Sequence, residues 1–446
     1  MLTVEICHSL FLLAFFAAQV APAPESPDPS APHVGEESTS TEDLEPSEPY
    51  RLRTTERLTG DWGGTRLWLE EKGVDVSLSL TTIYQQNVHG GVRTRNAHRV
   101  SGSYDLELTF DLEKTTGWHG ATAYIYGQGG WGDGISELGY VGDMFSVNTD
   151  ATGDRAIDVL EFWIEQSFLG DKLRVQVGKI NLTNEFLTNA YANDETAQFL
   201  NYALVVPQQV PIPGDAWGHL GAQAVLSPTD WLYLSAGVAD AQADYRETGL
   251  NTAFHGEDYF FGIFEFGLTP TLSTTRGNHS GNYRFGVWYD PQPKPKFFDD
   301  SDEFAGPIPY KRDDVGFYTS FDQLVFKENR DDDDKQGIGV FLRYGFAHAE
   351  VNELEHFWSA GAQYQGLLPT RDEDVIGFGV AQGIVSRFVD RIGEKPRRET
   401  VLELYYNVQV TPWLNVSPDL QIILDPGGRG DGSDAFVAGL RIQASF

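Results

Sequence analysis

A chain of 446 residues with 32 basic against 65 acidic side chains carries a formal charge of −33. So large an acidic excess excludes a nucleic-acid binder, which needs a basic surface. Hydrophobic residues at 41%, aromatics at 13% and 47 glycines suit either several soluble domains or one large barrel, in which only every second strand residue must be apolar.

Residues 9–18 read S-L-F-L-L-A-F-F-A-A and are followed by Ala21 and Ala23. This run is too short to cross a bilayer but has the size of a signal-peptide core, so residues 1–23 are expected to be a signal peptide. It departs from the usual form in having no Lys or Arg ahead of it. Cys7, the single cysteine, lies in the same stretch. The mature chain is therefore expected to hold neither thiol nor disulfide, which suits an oxidising compartment. No later run reaches the length of an apolar helical span, which argues against a helical membrane protein. Residues 24–55 are rich in Pro and Ser, and their acids from Glu25 to Glu48 are unmatched by Lys or Arg up to Pro49. They are expected to form a disordered acidic tether, either a plain spacer or a contact to the cell wall or a partner.

Residues 56–446 read as one domain. Within residues 65–72, helix formers and acids lead to Lys72, with Gly73 as a stop, which predicts one short helix. Alone it is too short to be stable, so it should pack on a barrel mouth or a neighbouring subunit. From Val74 onward the pattern alternates with the period of two of a β-strand. Asp105, Glu107, Thr109, Asp111 and Glu113 interleave with Leu106, Leu108, Phe110 and Leu112. Leu402, Leu404, Tyr406, Val408 and Val410 interleave with Glu403, Tyr405, Asn407 and Gln409. In residues 436–446, Phe436, Ala438, Leu440, Ile442, Ala444 and Phe446 oppose Val437, Gly439, Arg441, Gln443 and Ser445. A soluble sandwich also alternates. Here, however, charged and amide side chains recur on many polar faces, and aromatics such as Trp231, Tyr289 and Trp413 gather near strand ends. Short connections at residues 227–230 and 411–412 contrast with long polar ones at 290–314 and 327–335. Together these features predict an all-β, transmembrane antiparallel β-barrel in the bacterial outer membrane, with lipid on the apolar face and a watery lumen on the other.

Other motifs carry little. Gly127, Gly129 and Gly132 match G-x-G-x-x-G, but the residues that follow, W-G-D-G-I-S-E-L-G, are not the amphipathic helix a dinucleotide fold needs. The four aspartates at 331–334 lack EF-hand spacing. There is no H-E-x-x-H and no G-x-S-x-G. Neither catalysis, a metal nor a cofactor is expected.

Several segments resemble the OprB-type carbohydrate-selective porins. They are L-T-G-D-W-G-G-T-R (residues 58–66), the V-G-K-I-N-L-T-N-E-F core within 173–186, G-N-Y-R-F-G-V-W-Y-D (281–290), the run E-L-Y-Y-N-V-Q-V-T-P-W-L-N-V-S-P-D-L-Q-I-I-L-D-P-G-G (403–428) and A-F-V-A-G-L-R-I (435–442). The resemblance covers roughly residues 56–446 and implies a sixteen-stranded barrel, passive sugar uptake and a homotrimer. Sixteen strands leave roughly 23 residues for each strand with its loop, which fits strands of about ten residues. Phe446 resembles the recognition signal for outer-membrane insertion, which implies the barrel-assembly machinery as a partner.

A sugar-selective lumen should offer charged and amide groups to the hydroxyls and an aromatic face to the ring, with binding weak enough for release. The best set of substrate-contacting candidates is Arg155, Glu161, Trp163, Glu165, Arg174, Gln176 and Lys179. Asp105, Glu107 and Arg93 come second. Rival readings are a general diffusion porin on the same barrel, an envelope-tethering protein that uses the acidic segment, and a soluble lectin.

Overall fold

The structure, a computed structural model, describes residues 55–446 apart from 207–209, 213–217, 244–257, 298–308, 332–333, 390–397, 429 and 431. The expected signal peptide and the tether, except Thr55, lie outside the described residues. So do two of the four aspartates at 331–334.

The wall strands are, in chain order, β1 (Val74–His89), β2 (His98–Asp111), β3 (Ala121–Trp131), β4 (Arg155–Phe168), β5 (Leu173–Ile180), β6 (His219–Thr229), β7 (Leu232–Asp240) and β8 (Phe260–Leu268). They continue as β9 (Gly277–Asp290), β10 (Asp314–Lys327), β11 (Gly337–Phe346), β12 (Leu354–Gln365), β13 (Val375–Val385), β14 (Arg398–Thr411), β15 (Leu414–Leu424) and β16 (Ala435–Ser445). Each pairs antiparallel with its sequence neighbour, and β1 pairs with both β2 and β16. The sheet thus closes on itself and has no free edge, which a wall facing lipid requires. A further four-residue strand, Thr271–Thr274, is only a hairpin arm on the start of β9. The expected sixteen-stranded antiparallel barrel is therefore what the chain forms.

Alternation works as the pattern predicts. On β14, Leu404 is exposed on the outer face while Glu403 and Tyr405 are buried inside. On β16, Leu440 and Ile442 face out, and Val437 and Arg441 face in. Phe162, Ile164, Phe264, Phe285, Leu342 and Phe378 extend the exposed apolar surface across other strands. That surface is the lipid contact.

One end of the barrel carries tight turns, such as Asp230–Trp231 between β6 and β7; the other carries the long connections 132–154 and 181–218. In an outer-membrane barrel the tight turns face the periplasm. The polar stretch 327–335, expected among the long loops, falls at the tight-turn end, because strand parity and not loop length decides the side. The alternation over residues 105–113 is also cut short. β2 stops at Asp111, whose carboxylate accepts from the Glu113 and Lys114 amides at 3.0 and 3.1 Å. This cap starts a one-turn helix, α2 (Leu112–Thr116), in place of the strand's last residues.

The short N-terminal helix, α1, spans Thr65–Glu71. Gly73, at φ +83°, ends it in the left-handed conformation that favours glycine. The helix packs on the barrel mouth through one buried side chain. Arg66 Nη2 donates to the Phe446 carbonyl at 2.9 Å, and its guanidinium lies 4.1 Å from the Trp62 ring centroid. The Leu58 amide donates to the Ser445 carbonyl at 2.8 Å. The L-T-G-D-W-G-G-T-R stretch is thus a latch across the β1–β16 seam. Arg66→Ala should cost about 1.5 kcal/mol, the low end for a hydrogen bond from a charged group. The expected result is a lower unfolding temperature in heat-modifiable gel mobility with unchanged single-channel conductance.

Candidate functional site in the lumen

Two long connections fold into the barrel: a first inserted segment, residues 132–154, and a second, residues 181–206. Their apolar side chains dock on the inner wall. Phe145 meets Phe357 edge-on at 5.8 Å, and Phe199 meets Phe341 and Tyr405 at 5.7 and 5.0 Å. Glycines on β13 make the room. A Cβ on Gly379 would come within 2.9 Å of Phe199 and Leu204, and one on Gly383 would overlap Phe145.

Inside a barrel these segments carry main-chain groups that water reaches poorly, so each needs a partner. The wall supplies them from charged and amide side chains. Glu265 on β8 accepts from the Leu187 amide at 3.2 Å, and Asp322 on β10 from Ala190 at 3.3 Å. Arg343 on β11 donates to the carbonyls of Leu204, at 2.9 Å, and Ala192. Arg441 on β16 donates to Glu195 and Gln198 carbonyls at 2.6 and 2.9 Å. Glu403 on β14 accepts from the Leu200 and Asn201 amides at 2.5 and 3.0 Å. The first segment is held the same way. Glu399 accepts from the Met144 and Phe145 amides, while Gln85 and Gln421 both donate to the Val147 carbonyl. The second segment therefore runs around the wall from β5 past β8, β10 and β11 to β14 and β16, and narrows the lumen.

On the inner wall of β2–β5, Glu107, Tyr124, Trp163, Glu165 and Arg174 keep part of their surface exposed. Trp163 on β4 stacks on Tyr124 of β3, centroids 4.9 Å apart and planes at 28°. Tyr124 donates its hydroxyl to Glu107 at 2.7 Å. Beside them Arg174 on β5 bridges Glu165 of β4 at 3.1 Å and Glu185 of the second inserted segment at 3.2 Å. Arg174 keeps 41% of its side chain exposed, against about 20% for its partners (21% and 19%), so its free edge is turned to water. An aromatic pair thus lies beside a row of acceptors and donors.

The family described as "Carbohydrate-selective porin, OprB family" matches residues 95–446. The chain belongs to this family.

Porin B of Pseudomonas aeruginosa is 26% identical over 87% of this chain and 91% of its own length. Porin AaxA of Chlamydia felis is 24% identical over 63% of this chain and 56% of its own. The high-pH structure of Pseudomonas putida OprB superposes with a TM-score of 0.78 at 25% identity, covering 88% of this chain and 99% of that one. The low-pH structure of the same protein gives 0.54 at 20% identity. The protein is an outer-membrane porin.

Against this OprB barrel, the sequence-expected site residues separate into groups. Trp163, Glu165 and Arg174 come together on the β2–β5 wall, with Glu107 reaching them through Tyr124. Glu161 sits behind Trp163 and is buried, accepting from the indole at 3.1 Å and from Asn184 at 2.9 Å. Gln176 is buried against Gln223 at 2.6 Å. Lys179 is buried and donates to the Val159 carbonyl at 2.8 Å. Asp105 lies under Tyr126 and Gln128, which donate to it at 2.7 and 3.0 Å. Arg155 stands at the far end of β4, 3.6 Å from Asp158. Arg93 lies on the long-loop rim, against Tyr140. Sequence reasoning missed Tyr124, Glu185 and the residues that hold the inserted segments. One signal for the latter was available: Gly377, Gly379, Ala381 and Gly383 share one face of β13. Repeated glycine in a strand marks a close backbone approach.

Proposed function

We propose that this porin selects small neutral sugars at the β2–β5 wall of its constriction, with Trp163, Tyr124, Glu107, Glu165, Arg174 and Glu185 as the contact set. The observation that carries this reading is the Trp163–Tyr124 stack beside the Glu165–Arg174–Glu185 row. A sugar ring has an apolar C–H face that suits an aromatic platform and an equatorial belt of hydroxyls that exchange hydrogen bonds with carboxylates and guanidinium. The row is already internally paired, so a hydroxyl replaces one hydrogen bond with another and the sugar is not trapped. Behind the surface, Glu161 holds Trp163 by its indole N–H and Asp105 holds Tyr126 by its hydroxyl. The chain works as a passive channel, with no chemical step.

A planar-bilayer titration tests this. Glucose or maltose should block part of the ion current through the wild-type channel saturably. Trp163→Ala should weaken the apparent sugar affinity roughly three- to tenfold, the effect of losing one stacking contact. A variant that binds sugar like wild type would remove Trp163 from the site.

A further inference from the structure

The β1–β2 connection, residues 90–97, and the start of β2 bring Arg93, Arg95 and Arg99 to the long-loop rim. Arg93 and Arg99 both lie against Tyr140 of the first inserted segment, 4.8 and 5.0 Å from its ring centroid. The two guanidiniums therefore lie within about 10 Å of each other. Among the described residues none of the three arginines has a carboxylate partner. Arg57, Arg155, Arg174, Arg284 and Arg371 each have at least one, whereas Arg66, Arg343 and Arg441 donate to main-chain carbonyls.

Nor does the fold need these charges to shape the rim. Buried Asn87 holds the turn by donating to the carbonyls of Gly90, Arg93 and Tyr140 at 3.0, 2.9 and 3.2 Å. The Val92 and Arg93 amides add bonds to the Tyr140 carbonyl at 3.2 and 2.9 Å. Arg93 commits only its Nε, to the Arg95 carbonyl at 2.8 Å. Arg99 spends Nη1 on the His98 carbonyl and Nη2 on the Tyr140 hydroxyl. The two terminal nitrogens of Arg93 stay uncommitted, on a backbone fixed by main-chain and amide bonds. Cation–π contact with a single ring orients both guanidiniums without neutralising either.

We infer that Arg93, Arg95 and Arg99 form an oxyanion site at the long-loop mouth, suited to a phosphate group. Planar guanidinium forks match the oxygens of a phosphate, and a doubly charged phosphate matches two arginines better than one carboxylate does. The phosphate comes from an outer-leaflet lipid headgroup or from solution. Once bound, it removes the positive charge at the rim of an otherwise acidic protein, so the mouth comes to favour cations.

The full-length chain in phosphatidylcholine bilayers provides the test, with inorganic phosphate exchanged for chloride at constant ionic strength. Phosphate on the long-loop side should raise the potassium-to-chloride permeability ratio saturably, roughly twofold for each unit of charge neutralised about 10 Å from the ion path once salt screening is counted. Phosphate on the tight-turn side should do nothing. The Arg93→Gln/Arg99→Gln double variant should lose the shift, with heat-modifiable mobility as the check that it folds. In bilayers containing phosphate-bearing lipopolysaccharide, a ratio already raised and insensitive to added phosphate assigns the site to lipid. A ratio that still responds assigns it to the free anion. The inference is overturned if wild type shows no saturable shift in phosphatidylcholine, or if the double variant shifts as wild type does.

Discussion

Glu403→Ala should release the second inserted segment and raise single-channel conductance while the barrel still folds. Glu403 is buried on β14 and accepts from two consecutive main-chain amides, Leu200 and Asn201. Alanine leaves both without a partner, in a place water reaches poorly. An orphaned buried donor costs about 1–3 kcal/mol, which multiplies the local detachment equilibrium roughly 5- to 150-fold. Phe199, Leu204 and the bonds from Arg343 and Arg441 keep the segment from leaving altogether. The expected record is a larger and noisier open-channel current. Glu403→Gln, which keeps one acceptor oxygen, should fall between. Conductance equal to wild type in both variants would mean that the segment does not set the pore's width.

Leu404→Arg, one residue along, should act on stability instead. Leu404 sits in the middle of β14 on the outer face, paired across the sheet with Phe378 of β13 and Leu420 of β15, all exposed. A guanidinium near the bilayer midplane of a barrel costs about 2–4 kcal/mol, falling to about 0–1 near the interface. Val410→Arg, on the same face six residues on and near the strand's end, should therefore cost little. Denaturant titration of both variants in lipid vesicles measures the difference. Equal costs would mean that the outer face is assigned wrongly or that Leu404 is not at mid-membrane depth.

These two neighbours mark how far the sequence could be read. Side-chain alternation separates Glu403 from Leu404, because a strand's period of two admits one partition along any stretch without a β-bulge. The closing strand was legible on the same ground, as were the short helix and its glycine stop. What alternation cannot tell is whether an inward charge meets water or another part of the chain. Glu403 and Arg441 read as lumen-lining polar residues, yet each is spent on the main chain of an inserted segment more than 200 residues away in sequence. The clue lay in inward-facing apolar residues. Phe341, Tyr405, Val401 and Val437 sit on faces that would otherwise line a wet pore, and all are buried. An apolar residue on a lumen face implies a cover. The end of β2 was illegible for a different reason. Asp111 fits the strand's alternation and is also a helix cap, and local pattern does not rank the two.

The candidate contact set shows the same division. Trp163, Glu165 and Arg174 lie on strands adjacent in sequence, so their meeting follows from hairpin pairing. Glu185 reaches Arg174 from a connection whose path no strand pattern gives. Arg155 shares β4 with Trp163, but eight residues, each rising about 3.3 Å, and a β-bulge near Glu161 put it at the opposite end of the strand.

The account rests on a constriction that recognises sugar and does not merely sieve by size. Liposome swelling compares glucose with an amino acid of similar size through the wild-type channel. Glucose should enter several-fold faster, and equal rates would contradict selectivity and leave a general diffusion pore on the same barrel.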